Sequence, residues 1–194
     1  MSWRARVLPA LCLALSLSLG CGGDPPEKEM QQAQGALDAA QAVGADKYAA
    51  AEFKAALLAL ANAREAVTQR DYRLALDRAL DSRERAQNAA REAADGKAAA
   101  RVEADHALTA AQAQLDGADS RLKAAEARKV SAQVIADARR AIEQAQTTVQ
   151  DARATFAKGD YLDLPQKVTA ATAALPGVVQ ELDAAAASPV RRRR

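Results

Sequence analysis

The chain has 194 residues, 49% of them apolar but only 3% aromatic, and 53 of them alanine. Alanine favours helix yet buries little surface, so long, closely packed helices are within reach and a deep core around a small-molecule substrate pocket is not. Outside residues 1–20 and the last four arginines, 21 basic residues stand against 25 acidic ones, a mildly acidic body without the basic stripe that nucleic acid requires.

Residues 1–20 have the parts of a secretory signal. Arg4 and Arg6 make a positive start, and Val7 to Leu19 is an apolar run of h-region length. That run is shorter than the roughly 20 residues a helix needs to span a bilayer. Gly20-Cys21 closes it, and Gly22-Gly23-Asp24-Pro25-Pro26 reads as non-helical. We take residues 21–34 as a tether. With residues 1–20 removed, Cys12 is lost and Cys21 is the one cysteine left, so no internal disulfide can form.

Ser18-Leu19-Gly20-Cys21 resembles the signal of bacterial lipoprotein precursors, in which a small residue precedes a cysteine that is acylated and becomes the mature N-terminus. The sequence departs from the preferred pattern, having Ser18 where the family favours Leu and Leu19 where it favours a small residue. The resemblance covers about 23 residues. It implies export, cleavage before Cys21, and a membrane anchor of acyl chains on that cysteine. Each buried methylene of such an anchor adds about 0.8 kcal/mol. Gly22 after the cysteine implies the outer membrane rather than the inner one, facing periplasm or surface. The alternative is ordinary secretion, with a cut after Gly20 and a free Cys21.

Residues 35–187 are expected to form an all-α domain, an elongated antiparallel bundle of coiled-coil hairpins. A weak first helix covers 28–43 and closes at Gly44. A second covers 46–69, where Phe53, Leu60 and Val67 recur every seven residues with Ala49, Ala56 and Ala63 between them. Steps of four and three keep one seam toward a partner helix. A third helix runs from Tyr72 to about Leu115 on a seam of Ala86, Ala90, Ala93, Ala100, Ala104, Ala107 and Ala111. Asp95-Gly96 is a candidate break, and Asp116-Gly117 is expected to end it. A fourth helix is expected from Asp119 to Ala157. It carries Ile135, Ile142, Val149 and Phe156, with Ala138, Ala145 and Ala152 between them. A fifth begins near Asp163-Leu164-Pro165, is interrupted at Pro176-Gly177, and resumes to Ala187.

Both large-and-small seams end alike, at Arg70-Asp71-Tyr72 and Gly159-Asp160-Tyr161. A shift of 89 carries Phe53, Leu60, Val67, Asp71 and Tyr72 onto Ile142, Val149, Phe156, Asp160 and Tyr161. This suggests a duplication, with copies at 45–95 and 127–175. A competing register, shifted by 82, carries Lys47-Tyr48-Ala49-Ala50 onto Lys129-Val130-Ser131-Ala132 and implies a seven-residue insertion before the second Asp-Tyr. Asp71 and Asp160 are each expected to cap the following helix. The expected arrangement is a hairpin of the third and fourth helices with its tip at Gly117. The second helix folds back beside the third and the fifth beside the fourth, giving a four-helix base and a two-helix arm of about 60 Å. Were Gly96 a true break, a compact bundle of five or six helices would result.

The Ala-x-x-Tyr-Ala and Asp-Tyr hairpin pattern resembles an uncharacterised Ala-rich helical-hairpin domain of proteobacterial envelope lipoproteins, sometimes joined to peptidoglycan-binding domains. Tetratricopeptide hairpins share the style, but their Trp-x-x-Leu-Gly start is missing. The chain also resembles the Ala-zippered major outer-membrane lipoprotein family, without the C-terminal Lys through which that family joins peptidoglycan.

The body offers little to catalysis. His106 is its lone histidine, too few for a multi-His zinc site, and no nucleophile elbow, His-Glu-x-x-His or phosphate-cradling loop is found. No catalytic residue, metal or cofactor is expected. Residues 188–194 are expected to be a disordered basic tail. Its Arg191, Arg192, Arg193 and Arg194 could pair bidentately with phosphates of a glycolipid or wall polymer, or stand as a solvated terminus. The expected role is that of a non-catalytic spacer or scaffold. Its partners are the membrane through Cys21 and either another envelope protein or a second copy. The competing role is a binding module for anionic glycolipid or cell-wall polymer.

Overall fold

A computed structural model describes residues 24–187, all of whose regular structure is helical. In chain order the helices are α1 (Glu27–Ala42), α2 (Ala45–Tyr48), α3 (Ala50–Thr68), α4 (Tyr72–Ala127), α5 (Ala132–Ala157), α6 (Leu164–Thr172) and α7 (Leu175–Ala187). The chain divides between Ala93 and Ala94 into two compact units.

The first unit contains α1, α2, α3 and the beginning of α4. Its core is mostly alanine, with Leu37, Phe53 and Leu60 the large members. Polar contacts fix the register. Ser82 Oγ on α4 donates to the Ala56 carbonyl of α3 at 2.9 Å, and Arg85 pairs with Glu52 at 3.4 Å. Arg64 of α3 donates to Gln34 of α1, and Arg83 of α4 to Gln32. The expected second helix is divided: Gly44, at φ 89°, ends α1, and Ala49 separates α2 from α3. The tether expected to reach Gln34 is helical from Glu27 onward.

The second unit contains the rest of α4 and α5, α6 and α7. Its core mixes alanine with Leu108, Leu115, Leu122, Ile142, Val149, Leu164, Val168, Leu175 and Leu182. The α4–α5 hairpin is in constant register. Arg139 donates to Glu126, Gln146 to Asp119 and Arg153 to Gln112, at 2.6, 3.1 and 2.8 Å. From one contact to the next, each step of seven along α5 matches a step of seven back along α4.

Neither expected interruption of α4 occurs. Gly96 and Gly117 both lie inside it. A helical glycine costs only about 1 kcal/mol relative to alanine. Around Gly117 the buried run Leu115, Ala118, Leu122, Ala125 continues at helical spacing, and packing overrides the glycine. The hairpin tip falls at residues 128–131 instead. There Lys129 takes φ 59°, Val130 N bonds back to the Ala125 carbonyl at 3.2 Å, and Ser131 caps α5 through Val134 N. The helix expected from Asp119 therefore starts at Ala132.

The same closing turn ends α3, where Arg70 takes φ 60° and Asp71 N bonds to the Ala66 carbonyl at 2.9 Å. At the end of α5 it is Gly159, at φ 86°, that turns the chain. The left-handed conformation suits glycine and costs other residues roughly 1–2 kcal/mol. Arg70 and Lys129 bear that cost. As cations at helix C-termini, they also face the negative end of the helix dipole.

Both sequence registers have a structural counterpart. A shift of 82 aligns the first residues of α3 and α5, and a shift of 89 aligns their last. The helices have 19 and 26 residues, a difference of one heptad, which leaves every seam residue on the same face. The shift of 89 also reaches past the corner. Buried Ala75, Ala79, Ala86 and Ala93 of α4 correspond to buried Leu164, Val168, Leu175 and Leu182 of α6 and α7.

Two kinds of substitution test these assignments. Gly117→Ala, with nothing within 4 Å of the added methyl, should raise stability by about 0.5–1 kcal/mol in urea unfolding, where a hairpin-tip glycine would lose stability. Arg70→Gly and Lys129→Gly should each be neutral to stabilising by about 1 kcal/mol, and Gly159→Ala destabilising by about as much.

Candidate functional site

The sequence directs attention to three sets of residues: the anchor cysteine with the terminal arginines, the helix-packing residues, and the corner aspartates. Cys21 and Arg191, Arg192, Arg193 and Arg194 lie outside the described residues.

The packing set divides by depth. Phe53, Leu60, Ile142 and Val149 are buried, with 7% exposure or less. Val67, Ile135 and Phe156 are half-buried at helix ends, and the Phe156 ring stands edge-on to Tyr161 with centroids 5.0 Å apart. Along α4, Ala86, Ala93, Ala104 and Ala111 are buried, while Ala90, Ala100 and Ala107 are only half-buried. Leu164, Val168, Leu175 and Leu182 were not singled out from sequence. Their spacing of four, seven and seven carried the signal, hidden by the Pro176-Gly177 pair.

The two aspartates of the corners part ways. Asp71 Oδ1 accepts from Leu74 N at 3.0 Å and caps α4. Asp160 does not occupy the matching place, because α6 begins only at Leu164 and Asp163 stands at its N-cap without a side-chain cap bond. The intervening turn at Leu162-Asp163 leaves Asp160 three residues short of that N-cap position.

His106 is exposed on α4. Among the described residues no three His, Cys, Asp or Glu side chains gather where they could hold a metal ion, and no buried side-chain nitrogen or oxygen lacks a hydrogen-bond partner. No helix among them is long and apolar enough to cross a membrane. Two open grooves lie among the described residues of the second unit. One, of about 520 Å³, runs between α4 and α5 beside Phe156, Arg153 and Asp116. The other, of about 470 Å³, lies at the hairpin tip beside Val130, Ile135 and Arg140. Arg153 is held by Gln112, and Arg140 by Asp137. The pairs of Arg121 with Asp183 at 3.4 Å and of Arg139 with Glu126 are solvent-exposed and contribute little to stability.

No protein-family model, curated protein or solved structure matches the chain.

Ile142→Ala would open a cavity in the second unit and should cost about 2–5 kcal/mol in chemical unfolding. Asp71→Ala should cost about 1 kcal/mol through loss of the α4 cap.

Proposed function

We propose that the chain is a lipid-anchored protein of the cell envelope, a non-catalytic helical spacer or scaffold for another envelope component. One observation carries this reading: Arg4 and Arg6, the apolar run from Val7 to Leu19, and Gly20-Cys21 stand in the order of a lipoprotein signal. Acylated Cys21 would be the membrane anchor, in the outer membrane by the identity of Gly22, with the helical units facing the periplasm or the surface. From Glu27 onward the chain is helix built for packing against helix, in two units that repeat one seam.

A second reading rests on Arg191, Arg192, Arg193 and Arg194. Four consecutive guanidinium groups can pair bidentately with the phosphates of an anionic glycolipid or wall polymer. In that case binding depends on the tail and weakens with salt.

Fractionation of cells separates the anchor from simple secretion. The wild-type chain should sediment with membranes and Cys21→Ala should not; a Cys21→Ala chain still held in the membrane overturns the anchor. In-cell crosslinking of wild type against a chain ending at Val190 separates the two roles. A protein partner kept by the shortened chain supports the scaffold. Glycolipid or wall polymer lost with the tail supports the binding module.

A further inference from the structure

Charge is unevenly placed within the second unit. From Lys123 to Glu143, the stretch that holds the α4–α5 hairpin tip, five Lys and Arg stand against three Asp and Glu. In the rest of the unit's described residues six stand against ten, so the tip is a basic spot on an acidic body. Glu126 and Asp137 pair with Arg139 and Arg140. Arg128 and Lys129, exposed at the turn itself, make no side-chain hydrogen bond or ion pair among the described residues.

The arginine tail leaves the unit at the same end. Arg153 meets Gln112, so α5 ends about level with Leu108 of α4, and α6 starts beside that end. By Asp183 the chain has come level with Arg121. Helix α7 therefore runs toward the hairpin tip, and Arg191 follows its last residue, Ala187, by four positions. Four residues span at most roughly 14 Å. Beside the tip lies the groove of about 470 Å³, within the size range of small-ligand sites. Val130, Ala132, Ile135 and Ala136 give it an apolar lining, Arg139 and Arg140 are its cations, and Glu143 lines its far end. Arg128 and Lys129 directly precede Val130, at the tip end.

We propose that the hairpin tip of the second unit is a binding site for a phosphate-bearing lipid. The phosphate sits at the tip, between Arg128, Lys129 and the arginines of the tail. An acyl chain lies along Val130, Ala132, Ile135 and Ala136. Two features select an amphiphile. Unpaired cations attract any anion, but free phosphate or a sugar-phosphate polymer has no hydrocarbon to cover the apolar lining. Glu143 repels a phosphate at the far end of the groove, which directs the head group to the tip. The inference rests on the reading of the arginine tail as an anion-binding module and adds the folded residues that receive the same anion. It does not use the acyl anchor at Cys21.

Cosedimentation with vesicles tests it, using a chain of residues 21–194 with Cys21→Ala, which carries neither signal nor acyl anchor. The vesicles are phosphatidylcholine with about one third phosphatidylglycerol, against phosphatidylcholine alone. The chain should prefer the anionic vesicles. Arg128→Gln/Lys129→Asn removes both charges, and Asn accepts the left-handed φ of 59°. With the tail intact, this variant should bind about tenfold more weakly or worse. Ala136→Gln fills the groove from an exposed helical position without changing charge, and should weaken binding about threefold or more. Circular dichroism should show equal helix throughout; Arg128→Gln alone or Ala132→Gln takes the place of a variant that loses it. Binding kept in full by a chain ending at Val190 sinks the tail reading and the shared head-group site with it. Binding lost with the tail but unchanged in Arg128→Gln/Lys129→Asn leaves the tail reading standing and overturns the proposal. So does binding that falls with the tip charges but ignores Ala136→Gln, since the ligand then needs no acyl chain.

Discussion

Alanine buries so little surface that two alanine-lined helices hold together only where their backbones come close, and the structure depends on that close approach. The first unit carries it furthest. Facing α1 and α3, the first part of α4 presents Ala79, Ser82, Ala86, Ala89 and Ala93, with no large side chain among them. Volume comes from the opposing elements, through Leu37, Phe53 and Leu60. The buried Ser82 hydroxyl fits this arrangement because it reaches the Ala56 carbonyl across the interface, which a wider spacing would forbid. The second unit reverses the division of labour. There α6 and α7 bring leucine and valine where α4 of the first unit has alanine, so the same pattern is filled from the other side.

Continuity of α4 results from the same constraint. A helix ends where ending it costs less than continuing, and a single glycine sets only a small preference. At Gly117 the seam on both sides is buried and in phase, so stopping would sacrifice Leu122 and Ala125. Past Ala127 a left-handed turn at Lys129 reverses the chain and still buries much of Val130 against the core. The turn is set by where the seam runs out rather than by where a glycine stands.

Much of this was legible in the sequence. Heptad spacing located Phe53, Leu60, Ile142 and Val149 correctly in the cores, because large residues every seven positions admit one face only. The Asp-Tyr corners and both competing registers were visible too, since an insertion of one heptad preserves the seam. Punctuation misled. Gly96, Gly117 and the Pro176-Gly177 pair suggest breaks, yet only the last lies near one, at residues 173–174. Left-handed Arg70 and Lys129 have no local signature, because their conformation is imposed by the corner they close. Cys21 and the four terminal arginines, on which the proposed function rests, lie outside the described residues.

Amide hydrogen exchange along α4, in dilute chain, tests the account most directly. Protection tracks burial of the packed faces, so residues 75–93 and 104–125 should exchange slowly, including the amides around Gly117, with the minimum at 94–103. A protection minimum at 116–119 instead, with none at 94–103, would place a hairpin tip at Gly117 and contradict the continuous helix on which both units are built.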